Sequence, residues 1–360
     1  MLRLCEISKR WGQFAHRQVN LTVDSGEFFV LLGPSGAGKS LLLELIAGLA
    51  RPDSGRIHIN GVDVTALPPE KRNVGLVWQQ QMLFPHMTAG ENIAYGPKAR
   101  GVGSDERRER VSRLAQILRV REILDRPVSQ LSVGQRQRVA LARAVAGEPD
   151  VLLLDEPFSS LDPPLKKCIW DEIKTLHDEM RLTTFHVTHD RAEALFLADR
   201  IAIINDGRVE QLGQNRDVFE RPGSRFVAEF TGGTNIYEGV ARAEGGLRRF
   251  TDGSLELIST SRLIGPCSAV VRPENIIISM HPVATSARNQ VEGTVESVTR
   301  RGDVFEVAAR FGSAIMTCVV TPQSVDQLAI VPGARVYFSF KAGSVHLFPV
   351  DDREQHDDLT

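Results

Sequence analysis

The chain has 360 residues, of which 42% are hydrophobic and 24% charged, and a formal net charge of −2 at pH 7. This composition suits two or three globular domains and excludes a wholly disordered chain. Because a polyanion favours an excess of positive charge, we expect no nucleic-acid partner. We also expect no membrane-spanning helix and no secretory signal, and the four widely spaced cysteines favour neither a disulfide framework nor a zinc site.

The first 232 residues alternate short apolar runs with helical patterns, which predicts an α/β fold with a largely parallel sheet. The predicted buried strands cover residues 28–32, 151–154, 185–188 and 201–204. Predicted helices begin near Leu41, run from about Ser104 to Arg126, and run from Leu165 to about Met180. The Asn60-Gly61 dipeptide predicts a β-hairpin, so an antiparallel part is expected beside the parallel core.

After Gly232 and Gly233 the pattern changes to short strands separated by turn residues. The predicted strands cover residues 269–272, 275–278, 291–298, 304–310, 315–320 and 335–341. This spacing predicts a small all-β barrel resembling the oligonucleotide/oligosaccharide-binding (OB) type. We therefore expect domains at residues 1–232 and 233–350, followed by an acidic tail at 351–360.

A phosphate-binding loop is indicated where the first buried strand meets the first helix. The pattern G-x-x-x-x-G-K-[ST] is matched, and it continues into the helix, by Gly33, Pro34, Ser35, Gly36, Ala37, Gly38, Lys39, Ser40 and Leu41. Glycines let backbone N–H groups approach phosphate oxygens, and the helix N-terminus adds partial positive charge. We expect Lys39 to reach the β- and γ-phosphates of ATP and Ser40 to ligate Mg²⁺.

Two carboxylates follow the predicted strand at residues 151–154. We expect Asp155 to hold Mg²⁺ through its water shell and Glu156 to polarise the attacking water. The pattern alone is weak, because many buried strands end in Asp or Glu. Together with the phosphate loop it indicates a site for nucleotide hydrolysis.

Residues 131–135, Leu-Ser-Val-Gly-Gln, resemble the signature motif of ATP-binding-cassette (ABC) ATPases. Other family motifs follow in the expected places: Gln79 resembles the Q-loop glutamine, residues 159–162 the D-loop, and His189 the switch histidine. Trp11 matches the aromatic residue that stacks on adenine. As a set, these motifs resemble the family over about residues 1–230.

The resemblance implies a P-loop ABC ATPase core with a mixed sheet and a helical subdomain at about residues 88–145. It implies that Glu156, His189 and Gln79 are catalytic, and that Gln79 also binds Mg²⁺. It further implies a homodimer, in which Ser132, Gly134 and Gln135 of one copy complete the ATP site of the other. Val133 replaces the family's usual glycine, and we expect it to tune closure without abolishing ATP binding.

Among ABC proteins, the sequence favours an importer ATPase over a soluble ATPase that acts on chromosomes or ribosomes. The interval from Ser40 to Leu131 shows no sustained heptads, and we find no second cassette. Residues 82–92 resemble the region that importers present to the coupling helix of a membrane subunit. An importer implies two transmembrane permease subunits, an extracytoplasmic solute-binding protein, and a place on the cytoplasmic face of a bacterial or archaeal membrane.

The C-terminal part resembles the TOBE/Mop-like regulatory domain of importers, on residues 271–276, and residues 43–48 resemble molybdate/tungstate importers. The molybdate-binding type is suggested by Ser286, Arg288, Asn289, Thr321 and Lys341, which offer hydroxyl, amide and cationic groups to an oxyanion. We therefore expect import of molybdate or tungstate, with sulfate, polyamine, iron and sugar as alternatives. The domain either senses the oxyanion or only joins the dimer.

Overall fold

The apolar runs of the first part of the chain form one six-stranded sheet in the computed structural model, which describes residues 1–350. The expected acidic tail, residues 351–360, lies outside the described residues. The chain divides into two units, the first covering Met1–Arg216 and the second beginning at Asp217. The second unit thus begins ahead of the change in sequence pattern at residues 232–233, because its first elements are helical.

The elements of the first unit, in chain order, are β1 (Leu2–Trp11), β2 (Phe14–Val23), β3 (Phe28–Leu32), α1 (Lys39–Ala47), β4 (Ser54–Ile59), β5 (Val62–Asp63), β6 (Val74–Val77), α2 (Ala89–Ala99), α3 (Ser104–Ile117), α4 (Val133–Ala146), β7 (Val151–Asp155), α5 (Pro163–Met180), β8 (Thr184–Thr188), α6 (Arg191–Leu197), β9 (Arg200–Asn205) and β10 (Arg208–Gln214). After α7 (Asn215–Glu220), the second unit continues with α8 (Arg225–Phe230), β11 (Asn235–Glu244), β12 (Leu247–Thr251), β13 (Glu256–Ser259), β14 (Gly265–Val271), β15 (Ile277–Ser279), β16 (Asn289–Arg301), β17 (Val304–Phe311), β18 (Ala314–Val320), α9 (Pro322–Gln327), β19 (Arg335–Phe340) and β20 (Val345–Pro349).

The six-stranded sheet has the order β10-β9-β3-β8-β7-β6, and its strands run parallel except for β10. Every residue of β3, β7 and β8 is buried, as expected for strands covered on both faces. The predicted parallel core is therefore confirmed. The carboxyl ends of parallel strands lie at the same edge of a sheet, so the segments that follow β3, β7 and β8 meet at that edge.

A second sheet, in the order β2-β1-β4-β5, is antiparallel. The predicted hairpin at Asn60-Gly61 is confirmed, because Ile59 pairs with Val62. Strands β1 and β2 were not predicted from the sequence. One hydrophobic cluster joins β1 (Leu2 and Leu4), α1 (Leu42) and β3 (Phe29), so α1 shares a core with both sheets.

Helices α2, α3 and α4 pack on one another and form the helical part of the first unit. Helix α3 ends at Ile117, whereas the charge pattern predicts a helix to Arg126. The helix ends because Arg119 has a left-handed backbone (φ 53°), which a right-handed helix does not contain. Helix α5 agrees with its prediction, and it begins with Pro163 at a helical position where proline is favoured.

The second unit contains two antiparallel sheets, with the orders β13-β12-β11-β14-β20 and β15-β19-β16-β17-β18. Their inner faces share one core, in which Phe250, Phe338 and Phe340 are fully buried. The expected all-β, OB-like class is confirmed. The sequence did not predict β11, β12, β13 and β20, nor the short helix α9.

Arg72 is the largest of the fully buried side chains among the described residues, with 2% of its surface exposed. Its guanidinium donates to four carbonyl oxygens: Leu67 at 2.8 Å, Leu45 at 2.7 Å, Ile46 at 2.9 Å and Thr65 at 3.0 Å. Two of these carbonyls belong to the last turn of α1. A cation at a helix C-terminus satisfies carbonyls that lack helical partners. Arg72 therefore fixes the end of the helix that carries the phosphate loop.

We expect Arg72→Met to destabilise the first unit by about 2–4 kcal/mol, because two buried and two partly buried carbonyls each lose a donor. Urea unfolding followed by tryptophan fluorescence measures this, since Trp11, Trp78 and Trp170 all lie in the first unit. The matched control is Arg108→Met, at a side chain that is 78% exposed. Equal unfolding midpoints for the two variants contradict this role of Arg72.

Candidate functional site

The phosphate loop connects β3 to α1 and is shaped by two glycines. Gly38 precedes α1 in the left-handed region, at φ 89°. A Cβ atom there would lie 2.3 Å from the ring of Phe14, and a Cβ atom at Gly33 would lie 2.4 Å from the carbonyl oxygen of Ile204. Only glycine fits either position without a shift of the chain. The loop backbone is therefore held in one conformation by its surroundings.

The Lys39 side chain lies over this loop and is 5% exposed. Its Nζ atom donates to the carbonyl oxygens of Gly33 at 3.0 Å and Pro34 at 2.9 Å. It lies 3.7 Å from Oε1 of Glu156. Burial lowers the pKa of Lys39, and the negative charge of Glu156 opposes this shift. The ammonium group is thus fixed between the loop and a carboxylate.

Ser40 and Asp155 form the part of the site that suits a metal ion. Oγ of Ser40 donates to Oδ1 of Asp155 at 2.8 Å, and Asp155 is 6% exposed. Burial raises the pKa of the Asp155 carboxyl; the charge of Glu156 adds to this shift, and the hydrogen bond from Ser40 opposes it. A hydroxyl beside a buried carboxylate is a hard oxygen pair of the kind that Mg²⁺ prefers, so these residues fit the ion.

Glu156 connects the segments that follow three strands of the sheet. Its Oε2 atom lies 3.0 Å from Nδ1 of His189, and its Oε1 atom faces Lys39. Its backbone N–H donates to the carbonyl oxygen of Val187 at 3.0 Å, and its φ is 42°. A left-handed backbone costs a non-glycine residue about 1–3 kcal/mol and is typical of functional positions. His189 is 51% exposed, so one side of this pair faces solvent.

Gln79 contacts the D-loop through its side chain. Its Nε2 atom donates to Oγ of Ser159 at 3.2 Å, and that hydroxyl donates to the carbonyl oxygen of Glu156 at 3.0 Å. Gln79 is therefore linked to Glu156 through Ser159. Its expected role as a Mg²⁺ ligand stays a prediction.

The signature residues form the N-terminus of α4. Ser132 and Gln135 cap the helix reciprocally, since each side chain accepts from the other's backbone N–H. Gly134 is buried, whereas Ser132 and Val133 are exposed. The positive end of α4 is thus rigid and open to solvent, which suits contact with an anion. Within one copy, α4 packs on α2 and α3.

Trp11 ends β1, and its half-buried ring packs against the core. Its indole N–H donates to His16, a residue that sequence reasoning missed. The available signal was weak: His16 follows Trp11 by five positions, across a tight turn between two strands. This pair lies beside the phosphate loop, because His16 also contacts the carbonyl oxygen of Gly38.

The oxyanion candidates of the second unit are only partly brought together. Asn289, the first residue of β16, pairs with Phe340, the last residue of β19. Arg288 and Lys341 lie one residue beyond this pair, so both are at the same edge of the sheet. Ser286 lies just before this edge, and it is exposed like both cations.

The other two candidates differ from these three. The Asn289 side chain is buried, donating to the carbonyl oxygen of Ile258 at 2.9 Å and accepting from its N–H at 2.7 Å. Thr321 follows β18 and lies near the opposite end of β16, since Val320 pairs with Phe305 and Phe305 with Arg300. Its hydroxyl caps α9. The five-residue oxyanion site stays a prediction.

Among residues 1–350, the helices are too short or too polar to cross a membrane.

Comparisons with known proteins agree with this arrangement. A family model described as ABC transporter matches residues 16–159, and one described as TOBE domain matches residues 285–347. The chain is 42% identical over 349 residues to a molybdate/tungstate import ATP-binding protein of Pyrococcus horikoshii, covering 97% of this chain and 100% of that one. It is 40% identical to a spermidine/putrescine import ATP-binding protein of Acidothermus cellulolyticus, covering 92% and 88% respectively.

A solved structure gives a likeness for the first unit. It is a dimeric, post-hydrolysis state of the ATP-binding cassette MJ0796 bound to ADP and Pi. The sequence identity is 33% and the TM-score 0.54, covering 60% of this chain and 99% of that one.

Proposed function

Because the chain belongs to the ATP-binding proteins of the ABC transporter family, we propose that it hydrolyses ATP to power import of an oxyanion, molybdate or tungstate. The observation that carries the ATPase activity is the meeting of Lys39, the Ser40–Asp155 pair and the Glu156–His189 pair at one edge of the parallel sheet. The choice of solute rests on the relative from Pyrococcus horikoshii, which aligns over both units of this chain.

In this proposal each residue of the site has a role that its position or the family resemblance supplies. The phosphate loop and Lys39 bind the β- and γ-phosphates, and Trp11 stacks on the adenine. Ser40, Asp155 and Gln79 would hold Mg²⁺, which when bound neutralises charge on the phosphates. Glu156 lies at the edge of this site and accepts a hydrogen bond from the attacking water, while His189 fixes the direction of its carboxylate.

We further propose that ATP closes two copies of the chain into a homodimer. The exposed N-terminus of α4, with Ser132, Gly134 and Gln135, then faces the ATP bound by the partner copy. An aligned helix N-terminus stabilises the γ-phosphate charge only in the closed state, so hydrolysis is coupled to movement. Two transmembrane permease subunits, together with an extracytoplasmic solute-binding protein, convert this movement into import, with the ATPase on the cytoplasmic face of the membrane.

We expect Glu156→Gln to lower ATP turnover by about 10²–10³-fold and to leave ATP binding intact, because the amide cannot polarise water. ATP binding and phosphate release by the complete transporter measure the two effects. Lys39→Ala is the contrasting variant, since it weakens binding itself. Glu179→Gln, at a half-exposed carboxylate, is the matched control. Full turnover by the Glu156→Gln variant contradicts the assigned role.

Solute choice is tested by uptake into proteoliposomes that contain the chain with its permease subunits and solute-binding protein. We expect ATP-dependent uptake of labelled molybdate, strong competition by tungstate, and weak competition by sulfate and spermidine. Preferred uptake of spermidine instead supports the alternative that the relative from Acidothermus cellulolyticus raises. An ATPase that purifies with no membrane partner points to the soluble, non-transport class. Transporter carrying Glu156→Gln serves as the inactive control.

We also propose that the second unit senses the oxyanion on the ATPase side of the membrane. Arg288 and Lys341 bring two exposed positive charges to one sheet edge, with the Ser286 hydroxyl nearby. Asn289 supports this edge by tying it to Ile258. The alternative is that the unit only joins the dimer.

We expect molybdate inside the proteoliposomes to slow uptake, and we expect Arg288→Ala with Lys341→Ala to remove this inhibition. Loss of both charges weakens anion binding but leaves the buried core intact. Thr321→Ala is the discriminating control, because Thr321 lies near the other end of β16. Inhibition that is equal in all variants, or absent from the wild type, contradicts the sensor proposal.

A further inference from the structure

A histidine ring connects the two ends of the proposed nucleotide site. Strands β1 and β2 form a hairpin in which Trp11 pairs with Phe14 and Lys9 pairs with His16. The hairpin brings the His16 side chain under Trp11 and against the phosphate loop. His16 is 1% exposed, so its polar atoms must find partners within the protein.

The two ring nitrogens of His16 have opposite partners. The indole N–H of Trp11 donates to Nδ1 of His16 at 3.3 Å. Because an indole nitrogen is only a donor, Nδ1 carries no hydrogen and Nε2 carries the one that remains. Nε2 then donates to the carbonyl oxygen of Gly38, 3.0 Å away. The hydrogen bonds therefore run in one direction, from the base-stacking residue to the phosphate loop.

Phe14 and His16 both pack closely against the phosphate loop, so the contact is apolar as well as polar. A Cβ atom added at Gly38 would lie 2.8 Å from Nε2 of His16 and 2.3 Å from the Phe14 ring. The Phe14 and His16 rings meet edge to face, with centroids 5.1 Å apart and planes at 90°. The start of β2 therefore packs directly against Gly38, the residue that precedes α1.

The hydrogen bond from the Trp11 indole to Nδ1 requires a neutral His16 ring, and burial acts in the same direction. Burial lowers the pKa of His16, and the hydrogen bond to Gly38 only partly opposes this shift. The neutral ring is the form that can accept from Trp11 and donate to Gly38 at the same time.

We propose that His16 is a positioning residue that couples the adenine-stacking ring of Trp11 to the Gly38 carbonyl of the phosphate loop. Its ring sets the distance between the two surfaces that bind the ends of one nucleotide. Preset spacing lowers the cost of ordering the site when the ligand binds. This inference rests on the proposed ATPase function and adds a residue to it.

The test separates the two hydrogen bonds of His16. Glutamine at this position places its amide N–H near Nε2 and keeps the bond to Gly38, but its amide group does not reach the place of Nδ1. Trp11→Phe keeps an aromatic face but removes the indole donor. We therefore expect His16→Gln and Trp11→Phe to weaken binding of Mg²⁺ and the ATP analogue AMP-PNP to similar extents, each about threefold to tenfold.

The double variant is decisive. If the two residues act through one hydrogen bond, His16→Gln has no further effect in the Trp11→Phe background. His16→Leu, which removes both bonds, weakens binding further in either background, and it raises KM for ATP while kcat changes less than about twofold. Calorimetric titration of the full chain measures the affinities, and thermal unfolding of each variant shows whether the fold is kept.

Three results overturn the inference. Affinity losses that multiply in the Trp11→Phe/His16→Gln variant show that the residues act independently. A His16→Leu variant with a lower melting temperature but wild-type affinity shows a structural role alone. Wild-type chain that binds no nucleotide overturns the proposed function together with this inference, whereas the first two results leave that function standing.

Discussion

The nucleotide site depends on the Glu156 carboxylate, which lies between the Lys39 ammonium at 3.7 Å and His189 at 3.0 Å. These three residues follow three different strands of the parallel sheet. A charged group near the protein interior is costly unless a partner lies close, and the negative charge of Glu156 opposes the lowering of the Lys39 pKa that burial causes. The backbone at Glu156 is left-handed, with a φ of 42°, which no sequence pattern predicts.

The buried Asp155 beside this pair shows why the site suits a cation. Its raised pKa means that burial disfavours the ionised carboxyl, with the Glu156 charge acting in the same direction. Stability that comes from such a group falls as pH rises through its raised pKa, because ionisation then occurs in the folded state at a cost. A bound divalent cation would remove this cost, so the buried Asp155 carboxylate beside the Ser40 hydroxyl fits the Mg²⁺ proposed for this site.

Sequence patterns predicted the parts of the fold in which burial and periodicity agree. The runs that became β3, β7, β8 and β9 are apolar because both faces of the sheet are covered, and helix α5 follows a proline that is favoured at its start. In contrast, β1 and β2 contain polar residues on exposed positions and irregular register, so their alternation is broken. Strands β11 and β12 of the second unit were also not predicted, because exposed arginines interrupt the alternation of apolar and polar residues there.

The candidate site divides in the same way. Residues with a fixed spacing, such as Lys39, Ser40 and the Asp155–Glu156 pair, could be predicted, since the loop and the strand end impose that spacing. His16 could not, because its role arises from a hairpin that brings it to a loop more than twenty residues away. The hydrogen-bond partners of Gln79 and Asn289 could not be predicted either, because both partners are distant in sequence and are brought close only by tertiary packing.

The charged candidate residues are buried and paired in the first unit but exposed in the second, and this difference affects the sensor hypothesis. In the first unit, Lys39 and Asp155 are buried and paired, so a nucleotide meets groups that are already oriented. In the second unit, Arg288 and Lys341 are exposed, and exposed cations attract an anion weakly because water screens them. A sensor built on these two side chains therefore needs a second surface that excludes water when the oxyanion binds. The dimer proposed for the ATPase would bring a second copy of this unit into the assembly, so sensing and dimer formation need not be rival roles.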